Sequence, residues 1–280
     1  MRNPKKKGLY KASNTGTILA WLTLALYLSP LYILFVVAFK TKEDFAKNGF
    51  KFPEKIVWSN LLEAAKDMNV LENGWNSIII TFVSIAFILL FSAFAAYVIG
   101  RRRGKFYNRV YTYFLAGMMI PFPLIMLPLY RMMNTLGILG TRLSVICIYV
   151  GTTIPLALVI LTGFIKTIPR ELDEAALIDG ATPFRIFWEI ILPLIRAPLV
   201  TVLIICMVAF WNDLLMPLLF LGSKHETLIV GLYNFKSARY TTDWTMTFAG
   251  AIITMLPLLV VFLIAQKQFI KGMVSGAVKG

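Results

Sequence analysis

The sequence predicts an all-α integral membrane protein of six transmembrane helices, with a polar helix–turn–helix segment on the cytoplasmic side between spans four and five. Three observations carry that reading. Of 280 residues, 58% are hydrophobic and 15% charged, against about 25% charged in a soluble domain, and the mean hydropathy is +0.74. Six apolar runs of about 20 residues recur along the chain. At ~1.5 Å per residue each reaches across a ~30 Å hydrocarbon core. The net charge of +14 is placed in short clusters beside those runs. Such clusters set topology and meet the anionic headgroups of a lipid bilayer, so no nucleic acid is expected as a partner.

Residues 1–17 hold five basic residues and no acid, and read as a cytoplasmic N-terminus. Span one covers 18–39; its 22 residues exceed a signal-peptide core, so it reads as uncleaved. The loop 40–76 has mixed charge and an amphipathic patch around Trp58–Val70. Span two is 77–99. It runs into Arg101–Arg109, with five basic residues in nine, the strongest inside marker in the chain. Span three, 110–130, contains Pro121, Pro123 and Pro128 and is expected to kink or break. Span four, 143–165, carries Pro155 in its middle; span five is 197–221 and span six 246–265, followed by a cytoplasmic tail, 266–280. On this topology the inner segments hold 17 basic and five acidic residues, the outer loops 11 and eight.

The polar segment 166–196 is expected to be a docking device. Pro169 suits a first helical position, where a missing N–H costs nothing. Glu171, Asp173 and Glu174 favour the positive end of the helix dipole. Gly180 fits a C-terminal stop, and Thr182-Pro183 a fresh start for a second helix running into Pro193. Leu172, Ala175, Ala176 and Asp179 share one face of the first helix, with two alanines that let another protein come close. An interfacial helix lying on the bilayer would want a lysine-rich polar face; residues 171–179 have four acids and no base.

Chemistry of its own is not expected. Asp213 is the one ionisable residue deep in a span, which disfavours an ion-coupled carrier. There is no G-x4-G-K-[ST] phosphate loop and no H-E-x-x-H. Cys147 and Cys206 both lie in apolar runs and offer neither a disulfide framework nor metal spacing. A transport pore without an ion relay or an ATP site takes its energy from a partner.

Glu174-Ala175-Ala176, three residues, Gly180, nine residues, Ile190, one residue, Leu192-Pro193 resembles the EAA loop of binding-protein-dependent ABC importer permeases. Ile168–Leu172, Trp211-Asn212 with Pro217-Leu218, Thr227-Leu228, Val230–Leu232, Asp243-Trp244 and the ending Phe269–Gly280 are similar to the carbohydrate-uptake (MalG-like) branch. The likeness is close from Asn76 onward and limited to layout before it; Met273-Val274-Ser275 departs from the usual Leu-Thr-Ala.

The resemblance implies a permease subunit of an ATP-driven sugar importer, with an oligosaccharide as the expected cargo, in a bacterial or archaeal plasma membrane. It implies a second homologous permease, two ABC ATPase subunits that hold ATP and Mg, and an extracellular sugar-binding protein; this chain would bind no cofactor or metal. Docking to the ATPase would fall to Leu172, Glu174, Ala175, Ala176, Asp179 and Gly180, with alternating access as the mechanism. Trp211, Asn212 and Asp213 are pathway candidates, with Asp213 alternatively pairing with a neighbouring helix or capping backbone freed by Pro217. Tyr149, Thr152 and Thr153 are further pathway candidates, the threonines alternatively bonding their own helix. In the outer loop 222–245, Gly231, Tyr233, Asn234 and Tyr240 suit a binding-protein contact, or an ordinary solvated loop. The rivals are an importer of another solute such as glycerol phosphate, an ion-coupled carrier and a membrane scaffold.

Overall fold

The computed structural model describes residues 14–223, 225–238 and 243–277, and among these it is helical, with one isolated parallel bridge between Gly140 and Leu221. The chain divides into two compact units, residues 1–66 with 239–253 and residues 67–238 with 254–280. Four helices are long and apolar enough to cross a membrane, and two sharply bent helix pairs raise the number to six if each pair is one span.

In the first unit, α1 (Asn14–Ala38) buries only Val36, Val37 and Ala38. The rest of its apolar surface is left to lipid or to another chain. The loop that follows is built around Lys40, whose side chain is fully buried with Nζ 3.5 Å from Asp44 Oδ1. A buried ammonium persists only when paired and hydrogen-bonded neighbours surround it. Thr41 caps α2 (Lys42–Asn48) by accepting from Asp44 N, and Asn60 Nδ2 donates to the carbonyls of Ala38 and Lys40, 2.9 Å each. The Asn48 amide, then the Glu54 backbone N–H and Lys40, hold the Asp44 carboxyl below its usual range. The segment expected as a loop, 40–76, thus holds two helices, α2 and α3 (Ser59–Asp67).

The second unit is organised on α4 (Val70–Arg101), 32 residues long and starting seven residues before the expected span. Ser84, Ser92, Ala96 and Gly100 fall on one i+4 row of its buried face. Small residues at that spacing let helix backbones approach closely, and a Cβ added at Gly100 would lie 2.8 Å from Ile165 Cγ2. The partner here is α7 (Arg142–Ile165), the helix most extensively packed on α4. Between them in sequence, α5 (Lys105–Met118) and α6 (Phe122–Thr135) meet at 100°. Pro121 stands at the junction, where its missing N–H and restricted neighbour end α5; the expected kink is a full break.

The polar segment forms α8 (Glu171–Ile178), α9 (Pro183–Ile186), a π segment (Phe187–Ile191) and α10 (Leu192–Leu194), and bends by 72° into α11 (Arg196–Trp211). Two expectations about the last third need correction. Span five is interrupted: α11 stops at Trp211 and α12 (Leu215–Phe220) begins after Asn212–Leu214. The outer loop 222–245 contains α13 (Leu228–Ala238). Backbone helix α14 (Trp244–Ala277) then continues without a break into the expected tail.

Candidate functional site

The polar segment between α7 and α11 has the local form its residues dictate. α8 opens with Arg170 as N-cap, so Pro169 precedes the helix and does not sit at its first position. Arg170 O instead accepts from both Asp173 N and Glu174 N, which closes the first turn. At the other end Asp179 is the C-cap and Gly180 has φ +80°. Gly180 N donates to Leu177 O and Ala181 N to Ala176 O, at 3.1 and 2.9 Å. This is the paired bonding of a Schellman stop, which places a left-handed residue where a Cβ would be strained. Thr182 Oγ1 then accepts from Arg185 N, with Pro183 at the first helical position.

Of the face that spacing suggested, α8 presents Leu172, Ala175 and Asp179 outward and buries Ala176. Leu172, Glu174, Ala175 and Asp179 are exposed, with Leu177 and Ile178 beside them, and Ile178 is 87% exposed. Ala176 is buried in this chain's own core, so its small size serves packing inside the subunit and not an outside partner. Asp173 also points inward, with Oδ2 2.7 Å from Arg101 Nε at the end of α4. Arg101 further donates through Nη1 to Ile168 O at 2.8 Å and through Nη2 to Pro169 O at 3.4 Å. Burial raises the Asp173 pKa above its ordinary value, a shift that Arg101 and Arg170 oppose and Glu174 reinforces. A cleft of about 280 Å³ lies between α4 and α8, lined by Arg101, Arg102, Arg170, Asp173 and Glu174 among others.

Below it the π segment brings aromatic rings together. Phe187 is buried, with its ring 4.3 Å from that of Phe94 and 5.5 Å from that of Tyr97, both on α4. The sequence reading did not single out Arg101, Asp173 or Phe187. Arg101 belonged to a basic cluster that also marks topology, and Asp173 to an acidic turn that also suits a helix dipole, so each already had a sufficient local reason.

The pathway candidates do come together in part. Tyr149 on α7 is buried, stacked on Phe210 at 4.1 Å, and donates its hydroxyl to Asp213 Oδ2 at 2.8 Å. Asp213 Oδ1 accepts from Leu215 N at 2.9 Å, capping α12. Of the two readings of Asp213, this is the geometry of the pairing and capping one. Trp211 is buried and donates Nε1–H to Thr254 O at 3.0 Å, and Asn212 is exposed and donates to Val208 O. Trp211 is therefore covered within this chain. Thr152 Oγ1 donates to Ile148 O one turn back in its own helix, and Thr153 is half-buried.

At the Val70 end of α4, the candidates for a binding-protein contact separate. Gly231 is buried, and a Cβ there would lie 2.7 Å from Asn73 Nδ2 and 3.3 Å from Met68 O. It is a packing glycine that seats α13 on α4, not a surface contact. Asn234 Nδ2 donates to Glu226 Oε1 at 2.8 Å, and Tyr233 is exposed. Tyr240 lies outside the described residues. The anchors of this end are Asn76, fully buried, which accepts from Arg142 Nε at 2.7 Å and donates to Glu226 O at 2.9 Å, and Ser77 Oγ, which accepts from Leu228 N. Among the described residues no cluster of His, Cys, Asp and Glu forms a metal-binding group.

Comparison with known proteins bears on the family and the fold. Residues 88–274 match the family model for the binding-protein-dependent transport system inner membrane component. A multiple sugar-binding transport system permease of Streptococcus mutans is 38% identical over 91% of this chain and 92% of its own. A probable starch degradation products transport system permease of Thermoanaerobacterium thermosulfurigenes is 36% identical over 94% and 96%. The melibiose/raffinose/stachyose import permease of Bacillus subtilis is 36% identical over 96% and 98%. A crystal structure of a bacterial ABC transporter involved in import of the acidic polysaccharide alginate has the same fold. Its TM-score is 0.76 at 21% identity, over 90% of this chain and 94% of that one.

Proposed function

Because the chain belongs to the binding-protein-dependent transport inner membrane components, a non-enzymatic family of multi-pass permeases, we propose that it is one permease subunit of an ATP-driven oligosaccharide importer. It forms half of the translocation pathway. A second, homologous permease forms the other half, two ATPase subunits with ATP and Mg sit on the cytoplasmic side, and a sugar-binding protein delivers cargo from outside. Both termini and the α8 segment are cytoplasmic, and the membrane is the plasma membrane of a prokaryote. The names of its relatives, which concern starch products and the raffinose sugars, favour a neutral oligosaccharide.

The observation that carries this reading is α8. It is an acidic helix ended by a fixed glycine turn, with Leu172, Glu174, Ala175 and Asp179 turned outward and its inner side anchored to the subunit. Such a face offers carboxylates for charge-assisted bonds beside apolar contact area, that of Leu172, Leu177 and Ile178, left exposed among the described residues. Alternating access then follows from differential binding, because only a state that the ATPases hold more tightly can be favoured by nucleotide.

The test is reconstitution with the second permease, the ATPase and the binding protein. ATPase should co-purify with the unsubstituted complex and be lost with Glu174→Lys or Gly180→Val. Vesicles containing ATP should take up maltotriose or raffinose. Full ATPase retention and uptake in both variants would overturn the docking assignment.

A further inference from the structure

The α8 segment is continuous in sequence with α7 and α11, yet its polar and aromatic ties are to α4. Arg101 reaches three groups of that segment: the carbonyls of Ile168 and Pro169 and the carboxylate of Asp173. One turn deeper, Phe94 and Tyr97 pack their rings on Phe187. Gly100 is in van der Waals contact with Ile165, the last residue of α7. A planar guanidinium that donates to two carbonyls and lies in ion-pair contact with a carboxylate fixes orientation as well as distance.

Toward α11 the connection is of another kind. After Phe187 come the rest of the π segment, three residues of α10 and a 72° bend at Ile195. Helices yield at π turns and sharp bends, where the i→i−4 ladder is interrupted. The chain connection from α8 to α11 is therefore the yielding one and the contacts with α4 the stiff one, while α11 is itself packed on α4.

We infer that Arg101 is a positioning residue for coupling, which makes α4 the first helix to follow the docking helix. The inference rests on the assignment of α8 as the ATPase-docking element. Asp173 is its second half, with the half-buried carboxylate holding the guanidinium in place. Glu174, next in sequence, stays free for the outside contact.

The experiment uses the complete transporter with Cys147→Ala and Cys206→Ala as background. Fluorophores are placed at Leu71→Cys, at the far end of α4, and Leu215→Cys, on α12; both side chains are exposed. Their separation is measured without nucleotide and in the ATP–vanadate state. In parallel, Ile178→Cys reports docking through protection from maleimide by the ATPase. The unsubstituted complex should show a change in the Leu71–Leu215 separation. Arg101→Ala should reduce that change at least threefold while Ile178→Cys stays protected. Arg101→Lys, which keeps the charge but not the fork, should fall between, and it and Asp173→Asn serve if the alanine variant does not assemble. An undiminished change in these variants, or none in the unsubstituted complex, overturns the inference. Loss of protection at Ile178→Cys before any Arg101 substitution would instead sink the docking assignment.

Discussion

The two ends of α4 hold their neighbours by opposite means. At Arg101 the contact is ionic and partly solvated: a guanidinium, a carboxylate of raised pKa, a cleft and an aromatic stack. At Val70 it rests on a buried amide, a hydroxyl and a glycine contact, with one guanidinium, Arg142, bonded to the amide. Asn76 is fully buried with both ends of its amide bonded, Ser77 takes a backbone N–H, and Gly231 is pressed on Asn73. The difference teaches what each end is for. Satisfied amide and hydroxyl bonds around a close glycine contact specify one arrangement, so α13 is held firmly on α4. Ionic bonds at a helix whose other face is exposed can persist while that helix is pulled from outside.

Substitutions separate the two ends. The largest loss is expected from Phe187→Ala, which empties a buried ring position against Phe94 and Tyr97 and should cost about 3–5 kcal/mol. Thermal unfolding of the purified permease in detergent reads it; a loss under about 1 kcal/mol would show that the stack carries little.

Asn76→Ala should cost about 1–3 kcal/mol, because it strands Arg142 Nε and the Glu226 carbonyl at the Val70 end. The same unfolding assay applies, together with faster hydrogen exchange confined to α13. Exchange that rises at α8 instead would break the distinction between the ends. Gly180→Ala forces a Cβ onto a residue at φ +80° and should cost about 1 kcal/mol, with weaker ATPase retention at unchanged α13 exchange.

The smallest effect is a pH dependence at the Arg101 end alone. The folded-state pKa of Asp173 is raised by burial from 3.8. A raised carboxylate is less costly when protonated, so its contribution is greatest below 3.8 and is lost as pH rises through the folded value. Wild type should therefore gain stability relative to Asp173→Asn as pH falls from 7 toward 4, by under about 1 kcal/mol for a partly exposed pair. Comparison of Asn76→Ala with wild type over the same range should show no such slope.

What could be foreseen from sequence was what short-range chemistry decides. Gly180 and Thr182-Pro183 specify a stop and a start whatever surrounds them, and Pro121 ends a helix by its own ring. The break at Asn212–Leu214 was not legible, since no proline or glycine stands there; it is held by Asp213, bonded to a tyrosine 64 residues away. Likewise i, i+3, i+4 spacing groups Ala175 and Ala176 with Leu172 but cannot say which side of α8 meets the chain's own core. The Gly231 contact depends on α4 lying beside α13, a fact of packing that neither segment carries alone. α13 itself was hidden because 11 residues with a glycine inside are helical only when seated.

The π segment has a further consequence, for the length of the chain. Leu192 N–H reaches back five residues to Phe187 O, so this turn stores one residue more than an α-helix needs. Deleting a residue such as Glu189, exposed on that turn, would let the helix close to ordinary α spacing while Phe187 and Pro193 keep their faces. The same deletion in α8 or α11 would turn everything after it by about 100°. Of the whole route from the docking helix into the membrane, this is the one place where the chain can shorten by a residue and keep its register.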